Sequence, residues 1–126
     1  PSIEILGLKP HAGENGKIGS EEQDIIIPAI KKLRKSKIDV SLPMSADTAF
    51  SGKHLNETDA YFGMYHDQVL PVLKAISFGE SINITLGVPI IRTSVDHGVA
   101  LDIAGSNNSD TSSLELAFES ANNLIK

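Results

Sequence analysis

An imidazole and a carboxylate stand side by side at His66 and Asp67, where a strand-like segment gives way to a helix-like one. In open α/β sheets, ligands bind just beyond the carboxyl ends of strands, so the pair lies where chemistry is usually placed. Neutral histidine is the commonest metal ligand, and an adjacent acid can orient its ring. The pair therefore predicts a metal or catalytic site. An Asp67 that caps a helix beside a solvated histidine explains these residues equally well.

Two more histidines, His11 and His97, occupy glycine- or aspartate-containing loops that directly follow strand-like segments. Acids lie in loops of the same kind at Asp47, Asp67 and Asp96. Because the chain has no cysteine, a metal would be held by nitrogen and oxygen ligands, which suits Zn²⁺, Co²⁺, Mn²⁺ or Mg²⁺. His54 lies in a charged stretch that we expect to be exposed, and we assign it no role.

A group of polar residues further along the chain suits an anionic substrate. Lys74 follows His66 by two helical turns, whereas Asn83 and Arg92 lie in otherwise apolar strand-like segments. Arginine and lysine together bind phosphate or carboxylate groups, although on a half-exposed sheet the same side chains would simply face solvent. Three glycines that precede the first helix are compatible with either an anion cradle of backbone N–H groups or an ordinary flexible loop, namely Gly13, Gly16 and Gly19.

Length and composition limit the classes of protein to which this chain can belong. The 126 residues, of which 40% are hydrophobic, are one domain's worth of globular chain. A net charge of −5 argues against binding nucleic acid or anionic lipid, and the longest apolar runs fall far below the roughly 20 residues that span a bilayer. Without cysteine or a signal-peptide pattern, we expect a cytoplasmic location. The chain opens at Pro1, so we expect it to be part of a longer protein.

Strand-like and helix-like segments alternate, which predicts an α/β fold with a mostly parallel sheet flanked by helices. The predicted strands cover residues 3–8, 38–42, 60–65, 82–86 and 89–93, with the third one buried. The predicted helices cover residues 20–35, 53–57, 67–76 and 112–125. We expect a kink or a restarted turn at Pro28. Capping boxes are predicted for Ser20 with Gln23 and for Ser112 with Glu115.

Five motifs occur in one order along the chain: PHAGE at 10–14, ADT at 46–48, YHDQ at 65–68, NITLG at 83–87 and RTSVDHG at 92–98. This series closely resembles the carboxyl-terminal part of the 4-hydroxythreonine-4-phosphate dehydrogenase family of vitamin B6 biosynthesis. Residues 97–105 (HGVALDIAG) also resemble the adenine-binding loop of isocitrate and isopropylmalate dehydrogenases, which share that family's fold. The resemblance implies a partial dehydrogenase fold of this type, with residues 1–126 as a single α/β domain and the amino-terminal domain absent.

The resemblance also assigns roles to individual residues. In the family, three histidines from two subunits of a homodimer hold a divalent metal; His11 and His66 match two of them, and the third belongs to an upstream segment. Asp47 and Asp67 match acids that keep the catalytic site intact. The positions that match substrate-binding residues are Lys74, Asn83 and Arg92. The positions on the cofactor side are His97, Gly98, Asp102, Ile103 and Gly105, which moves His97 from the metal to the cofactor.

The implied reaction is the metal-dependent oxidation of 4-phosphohydroxy-L-threonine by NAD, or by NADP in its place. The product, 2-amino-3-oxo-4-(phosphooxy)butanoate, then loses CO₂ to give 3-amino-2-oxopropyl phosphate. Since a family member is about two and a half times longer, by the same resemblance, we expect this chain alone to be inactive. Two alternatives stay open: a sister dehydrogenase acting on 4-phospho-threonate or -erythronate, and a non-catalytic chain that only dimerises or binds nucleotide.

Overall fold

The computed structural model describes residues 1–106 and 108–125, which form two compact units. The first comprises Pro1–Val72, and the second begins at Leu73. Among the described residues, no helix combines the length and the apolar character needed to cross a membrane. The single-domain organisation expected for residues 1–126 stays a prediction.

A parallel three-stranded sheet forms the centre of the first unit. Its strands are β1 (Ser2–Ile5), β2 (Asp39–Val40) and β3 (Ala60–Phe62), in the order β2-β1-β3. Parallel pairing of β1 with both neighbours confirms the α/β fold class predicted from the alternating pattern. The apolar segment at the start of the chain becomes the central strand because both of its faces are covered. Ile5 packs in the core with Ile30 and Val40.

The first long helix begins with an irregular turn. Residues Glu22–Ile26 form a π-helical turn that continues into α1 (Ile27–Lys35), with Pro28 in the first turn of α1. Because Pro28 has no N–H, it cannot continue the i→i−4 bonding of the preceding residues, and the irregular π-helical turn lies directly before it. The expected irregularity at Pro28 is thus confirmed. The predicted capping box is wrong, because the turn is closed by the backbone: the Asp24 N–H donates to the Ser20 carbonyl at 2.8 Å.

Three further helices follow in the first unit: α2 (Ala46–Ala49), α3 (Gly52–Glu57) and the start of α4 (His66–Ser77). The prediction that β3 is buried is wrong. It is an edge strand with an exposed Ala60, and the Phe62 side chain is 56% exposed. Only Tyr61 of this strand turns toward a neighbour, with its ring centroid 4.8 Å from that of Phe50.

The second unit contains a hairpin of β4 (Ile82–Thr85) and β5 (Arg92–Val95), a short 3₁₀ turn (Leu101–Ile103) and α5 (Ser112–Leu124). The two strands are antiparallel, which departs from the parallel pairing expected for the sheet. The reason is the connection, because residues 86–91 are too few for a crossover, which takes about a dozen residues or more. The predicted capping box of Ser112 with Glu115 is also wrong. Thr111 Oγ1, and not Ser112, donates a hydrogen bond to the Glu115 carboxylate at 2.8 Å.

Gln68 fastens the start of α4 to the segment just beyond the central strand of the sheet. Its Oε1 accepts the Met64 N–H at 2.7 Å, and its Nε2 donates to the Gly7 carbonyl at 2.6 Å. The residue is only 8% exposed, so both bonds are shielded from water. Since His66 and Asp67 directly precede it, this clamp determines where the first turn of α4 begins.

We expect Gln68→Leu to lower the free energy of unfolding of the first unit by about 2–4 kcal/mol. Leucine fills a similar volume but leaves a buried N–H and a buried carbonyl unpaired, each of which costs about 1–3 kcal/mol. Urea unfolding followed by tyrosine fluorescence measures this, because both tyrosines, Tyr61 and Tyr65, lie in the first unit. The matched control is Gln23→Leu at an exposed position. Equal unfolding midpoints for the two variants would show that the clamp is dispensable.

Candidate functional site

The segment that follows β1 is a turn of left-handed helix, Pro10–Gly16. Six successive residues have positive φ: His11 (50°), Ala12 (50°), Gly13 (77°), Glu14 (45°), Asn15 (58°) and Gly16 (89°). For a non-glycine residue this conformation costs about 1–2 kcal/mol. Such strain persists only where surrounding contacts enforce it, and strained backbone of this kind clusters at functional sites. The loop predicted for residues 9–19 therefore has a defined shape, and it carries the first predicted metal ligand.

Two glycines and one buried acid enforce this turn. A Cβ atom at Gly7 would lie 2.7 Å from Ala12 Cα, and one at Gly13 would lie 2.8 Å from Glu22 Oε2. Glu22 is 1% exposed and accepts the Lys9 N–H through Oε1 at 2.7 Å. The backbone of the turn thus lies directly against β1 on one side and against the Glu22 carboxylate on the other, which leaves no room for side chains at these two positions.

The His11 ring projects from the turn into a negatively charged environment. Its Nδ1 lies 2.8 Å from Glu14 Oε1. The hydrogen bond that His11 donates to Glu14, reinforced by the negative charges of Asp47 and Glu14, raises the pKa of His11 above its usual value. At Asp47, Ser45 Oγ donates to Oδ1 at 2.6 Å. This bond is the main cause of a lowered pKa for Asp47, and the nearby His11 adds to it. Asp47 is therefore ionised at neutral pH.

His11 and Asp47 line one pocket of about 220 Å³. Its wall also includes Lys9, Ser45, Tyr65 and Gln68. The contributing loops follow β1, β2 and β3 in turn, so the pocket opens at the carboxyl edge of the parallel sheet. This is the place that α/β architecture predicts for a ligand. The sequence-based grouping of His11 with Asp47 agrees with this geometry.

The His66 ring is held by its neighbour, with Nδ1 2.6 Å from Asp67 Oδ1. Both side chains are more than three-quarters exposed, at 78% and 84%. Tyr65 and Gln68 on either side of the pair belong to the pocket wall, whereas His66 and Asp67 themselves are outside its lining. That His66 joins His11 on one cation stays a prediction.

The donors in this pocket suit a divalent cation in kind, but more of them are needed. One imidazole nitrogen and one carboxylate match the nitrogen and oxygen ligands that Zn²⁺, Co²⁺ and Mn²⁺ accept. Within residues 1–106 and 108–125, no cluster of three or more histidine, aspartate or glutamate side chains is arranged to hold a metal ion. A metal at His11 and Asp47 therefore requires at least one further ligand.

The polar residues predicted to bind substrate in the second unit fall into two environments. Asn83 pairs with Ser94, and Thr85 pairs with Arg92, so Asn83 and Arg92 lie on the same face of the hairpin. Both are exposed, and an Arg92 guanidinium N–H donates to Thr85 Oγ1 at 2.8 Å. The other face is covered, since Thr93 Oγ1 donates to the Ala117 carbonyl of α5 at 2.8 Å.

Lys74 differs from Arg92 because its ammonium is already engaged. Its Nζ lies 2.8 Å from Asp96 Oδ2 and donates to the Asp96 carbonyl at 2.6 Å. The Asp96 side chain is only 5% exposed and also accepts the hydroxyls of Ser81 and Ser113. The bond from Lys74, followed by that from Ser81, lowers the pKa of Asp96.

Three of the residues predicted to bind cofactor, His97, Gly98 and Ile103, line a pocket of about 230 Å³ in the second unit. Lys74, Asp96 and Asp110 contribute to the same wall. Asp102 and Gly105 are exposed and lie outside the lining. The roles assigned to all five residues stay predictions.

The sequence and the structure were compared with those of known proteins. Residues 1–121 match the sequence profile of the family described as "Pyridoxal phosphate biosynthetic protein PdxA". The chain belongs to this family. A 4-hydroxythreonine-4-phosphate dehydrogenase of Vibrio vulnificus (strain CMCP6) is 54% identical over 100% of the chain, which covers 39% of that protein. One of Pseudomonas syringae pv. tomato is 56% identical over 96% of the chain and 37% of that protein.

The PdxA family assignment extends to the fold. The 1.25 Å crystal structure of a 4-hydroxythreonine-4-phosphate dehydrogenase from Klebsiella pneumoniae has a TM-score of 0.80 and 42% identity, covering 96% of this chain and 37% of that one. The recognised family and the α/β fold class are thereby confirmed. The chain spans less than two fifths of the length of these relatives.

Several residues that shape the two sites were missed from the sequence. Glu14 lies inside the PHAGE motif three residues after His11, and this spacing would have pointed to it had a helical turn been expected there. Asp96 was grouped with other loop acids but received no role. Nothing in the sequence marks Glu22 or Ser45, because their importance depends on a backbone course that the motif does not reveal.

We expect the pKa of His11 to lie above the ordinary imidazole value near 6.5 and to fall in Asp47→Asn. Because the folded-state pKa is raised, the charged interaction stabilises the fold below the unfolded pKa and is lost as pH rises through the folded pKa. NMR titration of the histidine C2 protons measures the shift. Asp39→Asn, which changes an exposed residue of β2, is the charge-matched control. An unchanged His11 titration in Asp47→Asn would contradict the charge interaction.

Asp96→Asn should destabilise the second unit by about 1.5–3 kcal/mol, because hydrogen bonds to charged groups are worth that much. The lowered pKa of Asp96 means that its contribution is present above about pH 3.9 and lost as pH falls through the folded pKa. Amide hydrogen exchange of β5 and α5 should therefore accelerate about tenfold or more at neutral pH. Asp102→Asn changes an exposed acid of the same unit and should leave exchange unaltered. Equal exchange in both variants would show that the Lys74–Asp96 contact is not stabilising.

Proposed function

We propose that this chain is the carboxyl-terminal part of a divalent-metal-dependent, NAD-linked 4-hydroxythreonine-4-phosphate dehydrogenase of pyridoxal phosphate biosynthesis, acting in the cytoplasm. The observation that carries the proposal is the pocket at the carboxyl edge of the parallel sheet, where His11 and Asp47 meet. The family to which residues 1–121 belong supports the choice of reaction. The substrate is 4-phosphohydroxy-L-threonine, and the product after loss of CO₂ is 3-amino-2-oxopropyl phosphate.

His11 and His66, the latter in the first turn of α4, would hold the cation, and Asp47 beside His11 would keep the site intact. When bound, the metal would supply Lewis acidity at the substrate hydroxyl, and NAD would be the hydride acceptor. Asp47 contributes a full negative charge at neutral pH because the Ser45 hydrogen bond lowers its pKa. The Gln68 clamp holds the first turn of α4, and hence His66 and Asp67, against the sheet.

The second unit would supply groups for the anionic ends of the substrate. An ammonium group has three donors, and Lys74 directs two of them to Asp96, so one N–H is left for a phosphate or carboxylate oxygen. Arg92 and Asn83 share a polar face of the hairpin and would add a guanidinium and an amide. His97, Gly98 and Ile103 would form part of the dinucleotide site.

A further ligand is required because His11 and His66 alone do not complete a coordination shell. We propose that it is a histidine from a segment upstream of this chain and that the metal site is shared between the subunits of a homodimer. A ligand from outside the chain would explain why residues 1–72 contain no cluster of three metal-binding side chains.

In the natural-length protein that contains this chain, His11→Ala should abolish the reduction of NAD by 4-phosphohydroxy-L-threonine. We expect a loss of at least about 100-fold, because changes to residues that only support a metal ligand already cost about 10–100-fold. NADH absorbance with added Zn²⁺ or Mn²⁺ measures turnover. His54→Ala is the matched control, since His54 is a histidine of the same unit outside the pocket.

The same assay on the isolated 126-residue chain should give no turnover, because the chain spans less than two fifths of the length of its relatives and its described residues present too few metal ligands. A chain that matched the rate of the natural-length protein would contradict that expectation. Wild-type activity in His11→Ala would contradict the proposed metal site. Activity with 4-phospho-threonate in place of the hydroxythreonine phosphate would instead favour the sister dehydrogenase.

A further inference from the structure

The imidazole of His11 is held at one edge by an acid from its own turn. Glu14 Oε1 lies 2.8 Å from His11 Nδ1, and both side chains are partly open to solvent. An ionised carboxylate offers only acceptors, so the hydrogen of this bond belongs to Nδ1. In the neutral ring the lone pair is then on Nε2. The contact thus determines which nitrogen of His11 is available as a ligand.

The left-handed turn is what brings the two side chains together. One helical turn places residues three apart side by side, and residues 11 to 14 complete such a turn with φ values between 45° and 77°. The turn is enforced from outside by the backbone of Gly7 and by the buried Glu22 beneath Gly13. The pairing of His11 with Glu14 is therefore a property of a constrained backbone and does not depend on the side chains alone.

We propose that Glu14 is a positioning residue that fixes the tautomer and the orientation of His11, so that Nε2 is the atom offered to a divalent cation. This inference rests on the proposed function. Histidines that bind metal commonly donate their other N–H to a carboxylate, which orients the ring and raises its basicity as a ligand. Glu14 supplies this carboxylate from within the same turn.

The other histidines show that the arrangement is selective. His66 has the same contact, with Nδ1 2.6 Å from Asp67 Oδ1. At His54, which has no proposed role, the nearest carboxylate oxygen, from Glu4, is 3.6 Å from Nδ1, beyond hydrogen-bond distance. Both histidines predicted to bind metal therefore have Nδ1 engaged by a carboxylate, and the histidine without a role does not.

The tautomer of His11 can be determined by NMR without any metal. In the ¹⁵N-histidine-labelled 126-residue chain at about pH 9, long-range ¹H–¹⁵N spectra should show His11 protonated on Nδ1 in the wild type. Glu14→Ala should shift the proton toward Nε2, whereas Glu14→Gln should preserve Nδ1–H because the amide oxygen still accepts. Alanine is compatible with the backbone, since Ala12 has a φ of 50° in the same turn. The His66 signals should stay unchanged in every variant and serve as the internal control.

Zn²⁺ titration of the natural-length protein by calorimetry provides the second measurement. We expect Glu14→Ala to weaken Zn²⁺ binding about 10–100-fold, as for other residues that orient a metal-binding histidine. Glu14→Gln should fall between Glu14→Ala and the wild type. Glu119→Ala removes the same charge from exposed α5 and should leave the affinity unchanged.

The outcomes separate this inference from the proposed function. A wild-type His11 ring protonated on Nε2 would overturn the inference, and so would a Glu14→Ala variant with the wild-type tautomer. Unchanged Zn²⁺ affinity in Glu14→Ala, combined with lost binding in His11→Ala, would contradict the role of Glu14 alone. Unchanged affinity in His11→Ala would contradict the proposed metal site itself, and with it the cation role of Glu14.

Discussion

The reversal of backbone handedness directly after β1 is the constraint on which the candidate site depends. Four non-glycine residues adopt positive φ between Pro10 and Gly16, a conformation that none of them favours alone. It persists because the turn is confined between the main chain at Gly7 and the Glu22 carboxylate, and Glu22 is itself fixed by the Lys9 N–H. A right-handed turn at the same place would direct His11 elsewhere. The buried acid of the π-helical turn is therefore as much a part of the site as the residues that line it.

The charge pattern of the first unit follows from this placement. Glu14 and Asp47 surround an imidazole and raise its pKa, whereas the Ser45 hydroxyl and His11 keep Asp47 ionised. At a pH below the raised pKa of His11, a protonated imidazole partly balances the excess of negative charge. In the proposed metal site, a divalent cation would replace the proton on His11 Nε2. Such a site is electrostatically prepared for a cation before one arrives.

Much of the fold could be predicted from the sequence, and the failures have local physical causes. Hydrophobic patterning located the first four strands and the long helices, whereas the fifth strand begins three residues later than the predicted residues 89–93. The order of the motifs placed His11 and Asp47 in loops that follow strands. The burial of β3 was wrong because composition does not distinguish an edge strand from a central one. The antiparallel hairpin was missed although its short connection could have indicated it. The left-handed turn could not be predicted, because three of its six positive-φ residues, His11, Ala12 and Glu14, give no such signal in this loop. The contacts that enforce the turn come from Gly7 and Glu22, which lie outside the motif.

The cationic groups of the second unit illustrate why residue type alone left the site incomplete. Lys74 and Arg92 look equivalent in the sequence, yet the ammonium is fixed by a nearly buried carboxylate, whereas the guanidinium is exposed and bonds only a threonine hydroxyl among the described contacts. A donor held by Asp96 has a defined direction and loses little freedom when a ligand binds. An exposed guanidinium keeps its charge but must be ordered by the ligand. Directional recognition of an anionic group is therefore better suited to Lys74, and attraction of the anion from a distance to Arg92. Asp96, which contacts no substrate in this scheme, determines that difference.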